Sequence, residues 1–598
     1  MNVTSISKTQ FKEYTKCHNF AFLDYLHNTQ GMHDDDRVTC AHILKEMFSE
    51  EGEDLVDGMD EAIDVMLPYY KLTEKYGLIA SSIALSKPFE YYEKTSEQKR
   101  FSFVDENGIE FYTYVDGYYE NDDEIIIIEV KATNSKDKIE VSSTKKKVEI
   151  PLFIKEGKIF KVKDILDEID YKSIQKCLNR FDEKAGKYFY DVAITSFIVS
   201  NDLKRRKINK KVKYYLCCLN RDFSFNGKYI NGEPDYFNPE YKEQLFNIFE
   251  VNKVIEGFQD RIISDWKLLS LNIKNDALEK KYYPYCKKCQ FDIVCNNELT
   301  QPDSVRTLLN KRSKVNGMNV VELINNKFYL LKSIPDGFFD NPVHKMQIDV
   351  VKNKNDFIDR DELIKEINKI EYPIYHLDFE SLMLPLPRFK GEWPNEQSLF
   401  QFSIHVEKEP GKCNRYKDNY YFLPDDFGDH RRELIEKMIS IIDLSHGGSV
   451  LVYNKTFECS RIKELAKLFP EYAKELMKIH DSIKDLEEVL EGRNTNYRNF
   501  YSYNMQGSYS IKKVLPVFTN LKYQDISIHN GIQAYTAYCK FTDLPQEEIE
   551  EIRKKLIEYC GLDTYSMVAI LNNLKKRINA WVKRKTKRII PTILNLSK

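Results

Sequence analysis

Two apolar runs, far apart in the chain, each deliver charged groups at a spacing of two residues: EIIIIEVKA at 124–132 and YPIYHLDFES at 372–381. A β-strand repeats its side-chain direction every second residue, so Glu129 and Lys131 share one face of the first strand, and Asp378 and Glu380 share one face of the second. Helical patterns surround both runs, which predicts a mixed α/β chain. At 598 residues it is also too long for a single hydrophobic core, so it is read as multidomain. Hydrophobic residues make up 42%, with 39 Tyr and 35 Phe, enough apolar surface to order several cores and to exclude a disordered chain.

Residues 8–30 and 40–50 read as helices, and strand-like segments with Asn-Gly and Asn-Asp turn signals follow up to Ala132. A lysine-rich stretch from Lys136 to Lys163 leads to a helical region, the strand-like KVKYYLCCLN, and helices that run to a cysteine cluster near residue 290. The first domain is placed at 1–302. Residues 303–370 read as a helical connector with short helices around KVNGMN and IPDGF, a spacer between the two units. The second α/β domain spans 371–580, with strands at LFQFSIHVE and GGSVLVYN and helices at 431–444, 457–478 and 546–580, followed by a basic tail at 581–598.

The net charge of −3 conceals a segregation: acids crowd Asp34 to Asp64, bases crowd Lys204 to Lys213, and no acid follows Asp563. Lys575, Lys576, Arg577, Lys583, Arg584, Lys585, Lys587 and Arg588 are suited to neutralising phosphates of a nucleic acid, or else form a solvated helix face. No window offers the ~20 uninterrupted apolar residues of a membrane span, and the start MNVTSISKTQ is unlike a secretory signal, so the expectation is a cytoplasmic protein without membrane partners. The 12 cysteines, irregularly spaced, do not read as a disulfide framework.

Cys286, Cys289 and Cys295 form a CxxC-x5-C pattern, which lets soft thiolates converge on one metal centre. Cys17 is the candidate fourth ligand. The pattern resembles that of RecB-like nucleases of the AddB and CRISPR-adaptation type, in which one early cysteine and a late CxxC-x5-C hold a 4Fe–4S cluster; His18 stands where those proteins have proline. Structural zinc and unligated core cysteines are the alternatives.

Between Cys17 and Cys286, Asp116, Glu129 and Lys131 form D-x12-E-x-K. Two acids suit a divalent ion and a lysine suits the activation of water and the charge of a phosphorane-like state, although an exposed strand also alternates Glu and Lys. The set resembles the PD-(D/E)xK core of RecB-like nucleases, which implies a restriction-endonuclease-like fold. That resemblance also implies a helix-borne histidine, for which His42 is the candidate and Glu90 the other possibility. The Gln-x-x-x-Tyr pair common in the family is absent from YFYDVAITSFIV, which puts the activity of the first unit in doubt.

Asp378 and Glu380, then Glu458 after the strand-like GGSVLVYN, then Tyr559 and Asp563 four apart on a late helix, resemble the three motifs of the DnaQ-like DEDD exonucleases of the tyrosine subtype. The resemblance implies an RNase H-like fold, two Mg²⁺ or Mn²⁺ ions held by Asp378, Glu380, Glu458 and Asp563, and a water positioned by Tyr559. Glu458 departs from the usual Asp, and Asp485 is read as a surface acid. GSYSIKKVLP at 507–516 resembles a signature of a bacterial family of unknown function that joins a RecB-like half to a DnaQ-like half; Ser508, Ser510, Lys512 and Lys513 suit a phosphate backbone or a helix packed on the core. The function expected is a metal-dependent DNA nuclease, 3′–5′ on single-stranded ends, in repair or defence, with a helicase or defence-system partner. The alternatives are a nucleic-acid-binding scaffold with a degenerate first half, or an RNA exonuclease.

Overall fold

Successive isoleucines of the run Ile125–Ile128 enter two different cores. Ile125 and Ile127 pack with Phe189, Val192 and Phe197, whereas Ile126 and Ile128 pack with Leu78, Phe223 and Phe246. The neighbouring strand Lys211–Leu219 is divided in the same way: Tyr214, Leu216 and Cys218 go to the first core, and Tyr215, Cys217 and Leu219 to the second. A strand covered on both faces has no solvent side to alternate toward, which is why both runs read as continuously apolar. Full burial of each such side chain contributes roughly 1.5–3 kcal/mol.

The computed structural model describes residues 5–17, 19–26, 35–47, 58–143, 150–163, 168–180, 184–275, 281–492 and 497–594; some side chains within these ranges, those of His42 and of residues 580–594 among them, lie outside what it describes. The chain divides into two compact units. The first comprises Met1–Leu44, Ile63–Lys280 and Met383–Glu396, and the second Lys45–Ala62, Lys281–Leu382 and Gln397–Lys598. Both are α/β.

In the first unit a mixed six-stranded sheet has the order Gly117–Glu120, Glu124–Asn134, Lys211–Leu219, Phe246–Glu250, Ile159–Val162, Phe153–Glu156. Glu124–Asn134 runs antiparallel to Gly117–Glu120 and parallel to Lys211–Leu219. Its register with Lys211–Leu219 breaks just past Lys131, where Cys218 pairs with Lys131 but Leu219 with Asn134. Such an irregularity re-aims the chain at the end of the charged segment. The helices Lys8–Lys16 and Lys184–Arg205 contribute Phe11, Tyr14, Phe189 and Val192 to the core on the Ile125 and Ile127 side.

In the second unit a five-stranded sheet has the order Asn419–Phe422, Gln397–Glu407, Ile374–Met383, Ser449–Val452, Ile483–Asp485. Tyr375, Leu377 and Phe379, with Phe402 and Ile404, enter a core formed with the helices Arg431–Ile441, Lys455–Leu468 and Ala473–Asp481. The opposite face of Gln397–Glu407 is polar and buried, and the long helix Gln546–Leu594 docks on it. Gln401 donates to the carbonyl of Leu556 at 2.9 Å, Thr564 lies 2.8 Å from both Ser403 and His405, and Asn572 donates to Glu407 at 3.0 Å.

Three expectations change. The helix read at 8–30 is two helices, Lys8–Lys16 and Phe20–Leu26, because Cys17 is extended (φ −147°, ψ 122°) and ends the first. The helix read at 457–478 is likewise broken, since Pro470 cannot donate to the preceding turn. Residues 303–370 are not a spacer: Val305, Leu323, Leu331 and Ile348 build an apolar core with Tyr282, Cys286 and Leu299, and Asp356–Ile358 pairs antiparallel with Phe500–Ser502. The cysteine segment thus groups with this region, where the sequence reading drew a boundary near Pro302.

Candidate functional site

In the first unit, a capping box sets the start of the helix Lys8–Lys16: Ser7 Oγ accepts from the Gln10 amide, and Gln10 Oε1 accepts from the Ser7 amide. This fixed start places Lys8 and Lys12, four apart, on one face. Asp116 sits at the bend before Gly117–Glu120, where its Oδ2 accepts from the Val130 amide at 2.7 Å. Glu129 and Lys131 follow Ile125 and Ile127 by strand parity, on the side that receives the two helices.

The acids there are held by lysines. Lys8 Nζ lies 2.6 Å from Glu129 Oε1 and Lys131 Nζ 2.7 Å from the same oxygen. Asp191, only 4% exposed on the helix Lys184–Arg205, takes Lys131 at 2.8 Å, Lys12 at 3.3 Å and Lys8 at 3.6 Å. Burial opposes the Asp191 carboxylate, but Lys12, Lys131 and Lys8 outweigh it and hold its carboxyl well below the ordinary range. Asp116 behaves oppositely: burial and then repulsion from Glu129 push it up to about 7. Glu129 is 3% exposed, and its second oxygen, Oε2, is buried without a hydrogen-bond partner. Asp116 and that orphaned oxygen fit a divalent ion; Lys8 stands on the other oxygen.

The structure thus brings Asp116, Glu129 and Lys131 together and adds Lys8, Lys12 and Asp191, which the sequence reading missed. One signal was available for Asp191, a lone acid inside the apolar helix segment YFYDVAITSFIV, because a buried carboxylate requires a partner. His42 lies on the helix Asp35–Met47, and its side chain is outside the described residues. Glu90 is exposed and accepts from Tyr92 at 2.6 Å, a surface contact.

In the second unit His376, Asp378 and Glu380 alternate with the core residues Tyr375, Leu377 and Phe379, so the acids face the helix Gln546–Leu594. His376 is fully buried 3.2 Å from Glu407 Oε2. Burial holds its imidazole below the usual value, and as the neutral ring it donates Nε2–H to a carboxylate that also accepts from Gly411 and Asn572. On the helix, Cys560 points at the strand, with Sγ 3.5 Å from Asp378 Oδ2. Asp378, Glu380 and Cys560 have ligand atoms all within 4.8 Å of one another, the metal-ready group found among the described residues.

Glu458 arrives through a built turn. Asn454 takes a left-handed conformation (φ +65°), which Asn tolerates, and turns Ser449–Val452 into the helix Lys455–Leu468. Asp485 clamps the turn: its carboxylate accepts from the amides of Asn454 at 3.1 Å and Lys455 at 3.0 Å. Read from sequence as a surface acid, Asp485 is a buried bracket. Glu458 then lies in the first helical turn, 2% exposed, with Oε2 lacking a hydrogen-bond partner. Burial and the neighbouring Asp378 push its carboxyl well above the ordinary range.

Asp563 is also buried and accepts from Tyr523 at 2.5 Å. Tyr559 packs edge-on to Tyr523 with ring centroids 6.4 Å apart. Lys512, in GSYSIKKVLP, stands 5.7 Å from the Tyr523 ring, and its Nζ is buried without a hydrogen-bond partner. Tyr523 and Cys560 were missed in sequence. Neither follows a motif spacing, and both residue types usually serve the core.

The late cysteines form a tight turn in which Cys286 Sγ accepts from the Tyr283 amide at 3.2 Å and Cys289 Sγ from the Phe291 amide at 3.4 Å. Cys295 follows on a short helical turn, and Cys17 belongs to the first unit. Part of the basic run is already paired within the protein: Lys575 donates to Tyr372 at 2.7 Å, and Arg577 donates to the Val517 carbonyl at 2.6 Å and lies 3.2 Å from Asp356.

A family model described as a domain of unknown function (DUF2779) matches residues 375–510, which include Asp378, Glu380 and Glu458 but end before Tyr559. An uncharacterized protein of Ureaplasma parvum is 28% identical over 237 residues, 35% of this chain and 32% of that protein. Uncharacterized proteins of Mycoplasma genitalium and Mycoplasma pneumoniae are 26% and 25% identical, each over 34% of this chain and 32% of their own length. The chain thus spans about a third of the length of the curated relatives it matches. No solved structure matches.

Proposed function

We propose that this protein is a metal-dependent nuclease that hydrolyses DNA phosphodiesters, shortening single strands from the 3′ end, with its chemistry in a DnaQ-like, RNase H-like second unit. The pairing of Asp378 with Glu380, and the buried Glu458 on which Asp378 acts and whose Oε2 has no hydrogen-bond partner, support this reading most directly. Mg²⁺ or Mn²⁺ bound there would polarise the phosphate and the attacking water. The chain's own groups have separate tasks. Asp378, Glu380 and Glu458 hold the cations, Tyr523 fixes Asp563, Tyr559 orients water beside them, and Lys512 offers an unpaired ammonium to a phosphate oxygen.

For the first unit, of RecB-like PD-(D/E)xK type in this proposal, the Lys8 contact favours a second reading. With Lys8 and Lys131 both on Glu129 Oε1, two ammonium groups compete with a metal ion for that oxygen, and in this reading the unit grips nucleic acid rather than cleaving it. The soft donors of Cys286, Cys289 and Cys295, two of them accepting from amides, suit a 4Fe–4S cluster or zinc that rivets the segment. Repair and defence are the settings such a substrate implies, and a helicase is the class of partner that would supply single-stranded ends.

The test is digestion of 5′-labelled single-stranded DNA, duplex DNA and RNA with Mg²⁺ or Mn²⁺. Wild type should produce a 3′-shortened ladder from single-stranded DNA. Asp378→Ala should slow this on the order of a hundredfold or more, since even outer-sphere changes cost 10–100-fold. Undiminished digestion by Asp378→Ala would refute the assignment, and a ladder from RNA alone would change the substrate.

A further inference from the structure

We propose that Cys560 is a protein ligand of the second-unit metal site, so that this centre is a mixed carboxylate–thiolate site selective for transition-series divalent ions (Mn²⁺, Fe²⁺, Co²⁺, Zn²⁺) over Mg²⁺. The inference rests on the metal-site reading above and goes beyond it. Two atoms bound to one ion cannot lie farther apart than twice a ligand bond, about 4.6 Å for Zn–S bonds of about 2.3 Å. Asp378, Glu380 and Cys560 keep their donor atoms within 4.8 Å of one another before any ion draws them in. The thiol is fully buried, and its Sγ is directed at Asp378, 3.5 Å from the carboxylate and 3.8 Å from the carbonyl.

An independent observation points to a cation at the same place. Glu458, from another element, is 2% exposed with an unpartnered oxygen, and Asp378 is the strongest charge acting on it. A buried carboxylate oxygen with no hydrogen-bond partner is satisfied by a cation brought to it. The sulfur then decides which metal. Thiolate is a soft donor that hard Mg²⁺ does not reward, whereas the later divalent ions do, in the Irving–Williams order. On binding, Sγ–H releases its proton to solvent and the sulfur lone pair forms the metal–sulfur bond, with no change in oxidation state.

The test uses the full-length protein and Co²⁺ as probe, followed by absorbance and by calorimetry, in wild type, Cys560→Ser, Cys560→Ala and Asp378→Asn. Because the late cysteines can also bind Co²⁺, the readout is the wild-type-minus-variant difference. The expected result is a near-ultraviolet thiolate-to-cobalt band that disappears from the Cys560 variants and from Asp378→Asn. Cd²⁺ affinity should fall at least about tenfold in Cys560→Ser while Mg²⁺ affinity stays within about twofold. If Co²⁺ binds this site, as shown by its loss in Asp378→Asn, but no band separates wild type from the Cys560 variants, the thiolate ligand is refuted and the carboxylate site stands. If Asp378→Asn changes neither band nor heat, both readings fall. Circular dichroism confirms that each variant is folded before it is scored.

Discussion

Asp191 shows how one side chain organises the first unit. Three lysines and three acids share a site that water barely reaches, and Asp191 answers three ammonium groups at once. Such a lattice need not stabilise relative to an apolar core, but removing one member leaves the others buried and unpaired. Asp191→Ala should therefore cost roughly 3–5 kcal/mol in thermal or denaturant unfolding. A loss under about 1 kcal/mol would mean that the lysines reach water. The sequence made Glu129, Lys131, Asp378 and Glu380 legible because strand parity is local. Lys8 and Cys560 were not, since their roles depend on residues 121 and 182 positions away.

The docking of the helix Gln546–Leu594 on the strand Gln397–Glu407 turns on buried polar pairs rather than apolar ridges. His405 is the most pH-sensitive of them. Its Nε2–H donates to the Arg415 carbonyl at 2.9 Å, and its Nδ1 lies 2.8 Å from the Thr564 hydroxyl. Burial lowers its pKa from 6.5 to about 4. Between these values the unfolded chain carries a proton that the folded protein refuses, so stability rises with pH through the window and is lost as pH falls from about 6.5 toward 4. The change is on the order of 3 kcal/mol, read as Tm against pH, and His405→Gln should flatten it. A wild-type profile no steeper than that of His405→Gln would show that the ring is protonated in place. Alternation made these strands readable, yet Gln401, Ser403 and His405 look like a solvent face until the helix that covers them is known. The signature GSYSIKKVLP was readable as a motif but not in its use: Gly507 (φ +75°) lies where a Cβ would meet the Thr307 carbonyl oxygen at 1.8 Å, so the glycine admits residues 303–370 to the second unit.

At the scale of the whole molecule, the expectation of an α/β multidomain chain holds, with mixed sheets in both units, and no helix among the described residues is long and apolar enough to cross a membrane. What the sequence could not reveal is that the two acid sets are in different electrostatic states. In the first unit lysines sit on Glu129 Oε1 and on Asp191, although Glu129 Oε2 is unpartnered; in the second Glu458 keeps an unpartnered oxygen, and the charge acting on it most strongly is another acid, Asp378. Motifs report which residues are present, not which cation neutralises them. Under the proposed function, hydrolysis belongs to the second unit and grip to the first. Digestion of end-labelled single-stranded DNA by Lys131→Ala, Asp378→Ala and the double variant, at saturating substrate with Mn²⁺, separates the two roles. Asp378→Ala alone should abolish cleavage, while Lys131→Ala should weaken DNA binding and leave the saturated rate within about twofold of wild type, as expected for lost uniform binding. Partial loss in each single variant, with complete loss only in the double, would contradict this division of roles and establish two working nucleases.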